Sequence, residues 1–187
     1  MKVYVIRHGE SENNLKSLWT GWHDAALTER GIANARRAGE FLSTVKFDKV
    51  FSSDLSRAYD TAINAIPGCT PEKSSLCREI NVGSLAGNPL SSITAELRAL
   101  IPKEGYKTVG GESQEEFRAR VDEFMGMLET LPCENVAVFA HAGWLRGFLD
   151  SVMDFYIPRK KLLCANCAIG VFEYLDGSWR LNSWINL

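Results

Sequence analysis

Two of the three histidines stand where a sheet would present them to a ligand. His8 comes two residues after the apolar run Val3–Ile6, and His141 follows Val136–Ala140 directly. Open parallel sheets bind ligands at the carboxyl ends of their strands, so one crevice could hold both rings. Each has a glycine close by, Gly9 and Gly143. Position alone does not separate a catalytic pair from two packed histidines. Arginines add to the pattern. Arg7 precedes His8, and Arg57 opens a helix just after the segment Phe51-Ser52-Ser53. A helix N-terminus already favours anions; alone, Arg57 reads more readily as a solvated surface residue. Together, two guanidiniums and two imidazoles suit a phosphate, because the planar arginine fork matches phosphoryl oxygens. Neither G-x-x-x-x-G-K-[ST] nor G-x-G-x-x-G occurs, so a nucleotide-binding loop finds no support.

The elements that must carry these residues follow from the hydrophobic pattern. Strands are expected at Lys2–Ile6, Lys49–Ser52, Glu72–Leu76 and Asn135–Ala140, with helices at Thr28–Val45, Ser56–Ile66, Ser113–Leu131 and Trp144–Met153. Thr28 caps the first of these helices. Ser113 and Glu116 form a capping box on the third, whose apolar stripe is Phe117, Val121, Phe124, Leu128 and Leu131. Arg7–Ala26 reads as a polar, irregular segment. Gly83–Gly111, with Pro89, Pro102 and several glycines, reads as a short lid insertion with one helix near Ser92–Leu100. Cys167–Tyr174 and Trp179–Trp184 read as a hairpin turning at Asp176-Gly177. Strand and helix alternate, which predicts an α/β three-layer sandwich with a mainly parallel sheet.

Bulk properties bound the partners. A chain of 187 residues with 45% apolar composition can bury one core and is short for two, so a single domain over residues 1–187 is expected. Twenty-one basic and 23 acidic residues give a formal charge of −2, leaving no net basic field for nucleic acid or an anionic membrane. The apolar run at the N-terminus is shorter than a secretory core, and no run approaches a membrane span. Five cysteines, an odd number without framework spacing, fit a reduced, cytoplasmic setting. Cys164-Ala165-Asn166-Cys167 is a lone C-x-x-C without a second ligand pair, and reads as ordinary thiols rather than a metal site.

Six segments, in order, resemble the histidine phosphatase superfamily, the phosphoglycerate mutase-like group. Arg7-His8-Gly9-Glu10-Ser11 after a first strand is similar to its signature, and Asn14 occupies its phosphate-contacting asparagine position. Thr20-Gly21-Trp22 with Leu27–Gly31, then Ser52–Ala62 around Arg57, resemble its next segments. Arg78–Gly83 resembles the segment carrying its acid. Gly110–Ser113 and Ala140–Gly143 complete the series. One position departs: the family usually has glycine after the second histidine, where this chain has Ala142. Alanine is the smallest residue with a Cβ, and is expected to be tolerated.

The resemblance implies a phosphohistidine mechanism. His8 is then the nucleophile, and Glu79 the acid that protonates the leaving group. Glu10 is the competing carboxylate. Arg7, Asn14, Gly21, Arg57, His141 and Ala142 would hold the phosphoryl group, with His141 also counted as catalytic and expected to be protonated. Two guanidiniums and that imidazolium would do the charge work a metal does elsewhere, so neither metal nor cofactor is expected. Mutases of the group follow the acid with Arg-His-Tyr and later supply an Arg-Arg pair. Here Ile80-Asn81-Val82 follows Glu79, and no Arg-Arg occurs after it. A phosphatase of small phosphomonoesters is therefore expected. The alternatives are a cofactor-dependent phosphoglycerate mutase and, in another class, a non-catalytic phosphate-binding module. His23 reads as an exposed loop histidine near the entrance. Trp19, Trp22 and Trp144 read as packing groups before pocket walls.

Overall fold

The computed structural model describes residues 1–158 and 161–187. In chain order the elements are β1 (Lys2–Arg7), α1 (Glu12–Leu15), α2 (Glu29–Leu42), β2 (Lys49–Ser53), α3 (Ser56–Ala65), β3 (Glu72–Ser74), α4 (Ala95–Glu104), α5 (Gln114–Glu129), β4 (Asn135–Ala140), α6 (Ala142–Met153), β5 (Ile169–Leu175) and β6 (Ser178–Ile185). The sheet order is β3-β2-β4-β1-β5-β6. β3, β2, β4 and β1 run parallel, and β5 and β6 continue antiparallel. Helices cover both faces, as the alternating pattern predicts.

Alternation along the central strands decides which face each residue feeds. Val3, Val5, Val136 and Val138 point into the larger core with Phe117, Phe124, Trp144 and Phe148 of α5 and α6. Tyr4, Ile6, Ala137 and Phe139 point the other way, towards Leu42 of α2 and Ala62 of α3. Both faces are dry, which is why β1 and β4 read as continuous apolar runs. Truncating Phe139, fully buried between sheet and helices, should cost about 3–5 kcal/mol.

The topology makes a crevice. The chain leaves β1 for α2 on one face and returns as β2, beyond β4. It leaves β4 for α6 on the opposite face and returns as β5, beyond β1. The adjacent carboxyl ends of β1 and β4 therefore open where the connections diverge, the position at which such sheets bind ligands. Arg7 pairs with Ala140, so His8 and His141 emerge side by side.

Several local details differ from the sequence expectation. The segment after β1 is not wholly irregular: Ser11 caps the single turn α1, and Asn14 closes a reciprocal capping box. β3 stops at Ser74 and passes into a 3₁₀ turn over Ser75–Cys77. α4 starts at Ala95, because the Thr94 side chain caps Leu97 N–H, and it runs through Pro102 to Gly105. α6 begins two residues earlier than the pattern suggests, with His141 as its N-cap residue. The expected devices at Thr28, Ser113–Glu116 and Asp176-Gly177 are present. At the hairpin both turn residues have positive φ, 53° and 74°, the twist-matched geometry that asks for Asp-Gly. Among the described residues no helix is long and apolar enough to cross a membrane.

Candidate active site

His8 is held as a neutral base with one nitrogen presented. Its Nδ1 lies 2.6 Å from the Gly9 carbonyl, which can only accept, so Nδ1 carries the hydrogen. Nε2 is left with its lone pair and receives the Arg57 Nε–H at 3.3 Å. Gly9 is itself fixed by its N–H donating to Thr61 Oγ1 at 2.9 Å. Thr61 is fully buried, a positioning residue that lies within the Ser52–Ala62 segment but was not singled out there. Burial pushes the His8 pKa well below the usual histidine value, and the nearby Arg57 and Arg7 charges push it further down.

Arg57 is the fixed cation of the site. It is 0% exposed, so its charge must be satisfied internally. Besides His8 Nε2, its guanidinium donates to the carbonyls of His23 at 3.0 Å and Gly21 at 2.8 Å. Burial lowers its pKa to about 10, which still leaves it charged at neutral pH. Gly21 thus enters the site in a second way, as the acceptor that aims Arg57. Arg7 donates to the Cys164 carbonyl at 2.6 Å, while its buried Nε has no hydrogen-bond partner among the described residues.

His141 lies beside His8, with ring centroids 5.2 Å apart. It is fully buried, and neither ring nitrogen has a hydrogen-bond partner among the described residues. An orphaned imidazole in a dry site is costly unless a ligand completes it. Burial, then the Arg57 and His8 charges, hold its pKa well below the usual value. Burial first, with the Arg57 charge beside it, disfavours the imidazolium, so the proton expected on His141 depends on the negative charge of a bound phosphoryl group.

The two histidines tie stability to pH. Unfolding returns each to a pKa near ~6.5, so below that value the unfolded chain binds protons the folded chain refuses. Stability should be complete above about pH 6.5 and fall as the pH drops towards the folded values, by up to about 1.4 kcal/mol per pH unit for each ring. Urea unfolding at about pH 7 and about pH 5.5 should show this, and His8→Gln should roughly halve the slope.

Glu79 sits opposite, with both carboxylate oxygens oriented by the backbone. Oε1 accepts from Ile80 N–H at 2.9 Å and Oε2 from Gly143 N–H at 3.0 Å. The segment carrying it is clamped from three sides. Trp22 Nε1 donates to the Glu79 carbonyl at 2.7 Å. Arg78 forks onto Asp54 at 2.8 and 2.6 Å and lies over the Trp22 ring. Arg120, paired with Glu112, donates to the carbonyls of Leu76, Arg78 and Glu79. Sequence reading marked none of these as site residues, since Arg120 reaches the segment from α5, far along the chain. Gly143 has its own reason to be glycine: a Cβ there would overlap Glu79 Oε1. Gly143→Ala should displace only the tip of that side chain. A fall in kcat of about 10²-fold with an unchanged unfolding midpoint is expected, checked by steady-state kinetics and thermal melts.

The remaining candidates divide clearly. Asn14 Oδ1 accepts from Ser11 N–H and from Asn166 Nδ2 at 3.3 and 3.2 Å, which leaves its own Nδ2 donor for a ligand. Asn166 also donates to the His8 carbonyl, so the C-x-x-C segment acts as a backbone wall. Its thiols are buried, and burial pushes Cys167 up to about 12. Ala142 and Gly143 line the pocket at the start of α6, so the Ala142 methyl is accommodated. Glu10 lies elsewhere. It is buried and committed to Thr28 Oγ1 and to Arg30, which removes it as competitor to Glu79. His23 is exposed and paired with Asn13, as a loop histidine would be. Trp144 is core, whereas Trp19 lines the pocket. Among the described residues no three His, Cys, Asp or Glu side chains cluster as a metal site.

Arg7, His8, Asn14, Gly21, Arg57, Glu79 and Ala142 line one cavity of about 160 Å³ between β1, β4 and the loop before α2, with His141 buried against His8. This fold and this cluster belong to a known family. The chain is a member of the histidine phosphatase superfamily (branch 1), whose sequence profile matches residues 3–187. A Salmonella paratyphi A protein named "Probable phosphoglycerate mutase GpmB" is 29% identical over 195 residues, spanning 99% of this chain and 90% of that protein. The solved structure of TTHB049 from Thermus thermophilus is 29% identical, with a TM-score of 0.80 and full coverage of both chains. A structure from Escherichia coli K-12 named, provisionally, as an α-ribazole-5′-P phosphatase is 23% identical with a TM-score of 0.86, covering 100% and 96% of the two chains, and speaks for the fold. The family and the name of the Salmonella relative place the chain among phosphatase and mutase enzymes.

Proposed function

We propose that this protein hydrolyses phosphomonoesters through a phosphohistidine on His8, in a cytoplasmic setting and without nucleic acid or membrane partners. The observation that carries the reading is the state of His8: neutral, Nδ1–H on the Gly9 carbonyl, and Nε2 aimed with Arg57 into a cationic pocket. Arg7, Arg57, Asn14 Nδ2 and the Gly21 and Ala142 backbone cradle the phosphoryl oxygens. The arriving dianion reverses the field at His141, which then takes a proton and donates to a third oxygen. Nε2 attacks phosphorus as the P–O ester bond breaks, and Glu79 gives its proton to the leaving oxygen. Water then attacks the phosphohistidine, passing its proton to Glu79; the P–N bond breaks and orthophosphate leaves. Positioning and preorganised charge carry the rate in such transfers.

Mutase activity is the second reading, favoured by the name of the Salmonella relative. A mutase must hold a second anionic group and keep water from the phosphohistidine. Glu79 is followed by Ile80-Asn81-Val82, and Ile80 and Val82 are buried, so that segment offers no cation to a second anion. This supports water as the acceptor. Incubation with p-nitrophenyl phosphate in EDTA should release phosphate. Interconversion of 3- and 2-phosphoglycerate faster than phosphate release would overturn the phosphatase reading. Binding of phosphate with no turnover of any ester would favour the non-catalytic module.

A further inference from the structure

We infer that the alcohol half of the substrate is a bulky, mainly apolar group, seated in a chamber beside the phosphate pocket. The inference rests on the reading of that pocket as a phosphoryl site and narrows its substrate class. The phosphate pocket encloses about 160 Å³, room for a phosphoryl group and little more. It continues into a chamber of about 930 Å³, with Trp19, Tyr106, Gly143 and Arg146 lining both. Pockets for drug-sized ligands run from roughly 300 to 1,000 Å³. A three-carbon phosphate ester would leave most of this volume to water against apolar walls.

The walls indicate what fills it. Ile101 comes from α4 and Phe117 from α5, while Tyr156 and Ile157 come from the segment after α6. Tyr156 is 59% exposed at the rim, so the chamber opens to solvent on that side. Two of the charged groups facing the chamber have partners of their own. Arg118 pairs with Asp122 and reaches the Asp150 carbonyl, and the Asp150 carboxylate accepts from Ile157 N–H. Arg98 and Glu115 bring one charge of each sign. Among the described residues no converging set of cations remains there for a second phosphate or a carboxylate. The neck is different. Trp19 Nε1 and Arg146 Nε are both buried without hydrogen-bond partners among the described residues, and both side chains belong to the two cavities. An oxygen of the substrate close to the ester meets that requirement, and the apolar body lies beyond it.

Non-hydrolysable phosphonates test the chamber without needing turnover. Burial of each methylene favours binding about fourfold. In calorimetry 4-phenylbutylphosphonate should therefore bind at least ~100-fold tighter than ethylphosphonate. Ile93→Trp, which fills the chamber away from the phosphate pocket, should erase that preference and leave ethylphosphonate binding unchanged. Equal affinities of the wild-type protein for the two phosphonates would overturn the inference, whatever the variant does. Hydrolysis of the matching primary alkyl phosphates, which share a leaving-group pKa, separates the two readings. Tight binding of the large phosphonate with no hydrolysis of either ester keeps the chamber and sinks the phosphatase. Hydrolysis of both esters without size preference does the reverse.

Discussion

His8→Ala should lower kcat for any phosphomonoester by on the order of 10⁴-fold or more, the scale seen when a covalent nucleophile is removed. The change deletes the Nε2 lone pair while Gly9 remains anchored through its N–H on Thr61. The fold should survive. The folded protein should also become less acid-sensitive, because one of the two desolvated imidazoles is gone. Loss of activity together with weaker pH dependence of stability is a joint signature that a merely packed histidine would not give. Steady-state kinetics and urea titrations at two pH values read both. Retention of turnover within tenfold of wild type, an allowance of about 1.4 kcal/mol, would remove His8 from the chemistry.

Glu79→Gln carries the second large effect, and its size should depend on the leaving group. A general acid contributes about 10²–10⁴-fold. That full loss is expected for a primary alkyl phosphate, whose alkoxide cannot leave unprotonated. Para-nitrophenolate leaves without help, so the first step should be nearly untouched with that ester. The second step needs Glu79 as base, so the phosphohistidine should accumulate, and stopped-flow traces should show a burst of nitrophenol followed by slow turnover. The substituted amide also turns an N–H towards Ile80 N–H or Gly143 N–H, so the side chain loses one of its two backbone anchors. Glu10→Gln makes the contrast. Glu10 is tied to Thr28 and Arg30, so its loss should lower stability and leave the leaving-group dependence as in wild type.

The sheet and its helices were legible in the chain because their signals are local. Val3–Ile6 and Val136–Ala140 are apolar on both faces, and Thr28, Ser113 and Asp176-Gly177 mark ends and turns with side chains that act within a few residues. His8, His141 and Arg57 were legible for a related reason: each lies just past a strand, where the topology must open. What escaped was nonlocal or lacked a standard marker. α1 is one turn whose capping box uses Asn14 in place of Glu or Gln. α6 starts at Ala142, although its N-cap residue, His141, makes no side-chain capping bond. Thr61, Arg120, Glu112 and Asn166 act across the fold by aiming a carbonyl or pinning a segment; Thr61 and Glu112 fall within family-like segments, but their partners are distant in sequence, so the roles themselves were not readable. The downward pull on the His141 pKa was not legible because it comes from burial of the ring and from Arg57 beside it, both set by the fold. The chamber was invisible for the plainest reason: it is the space left between α4, α5, α6 and the loops around them.

The central claim is that the phosphoryl group passes through His8. Quenching the enzyme with alkali during turnover of p-nitrophenyl phosphate, in wild type and in Glu79→Gln, preserves the P–N bond of a phosphohistidine. Peptide mass spectrometry should then find one added phosphoryl group on the peptide containing His8, lost on brief acid treatment and more abundant in Glu79→Gln. A phosphoryl group on any other residue, or turnover with no phosphorylated peptide in either protein, would contradict it.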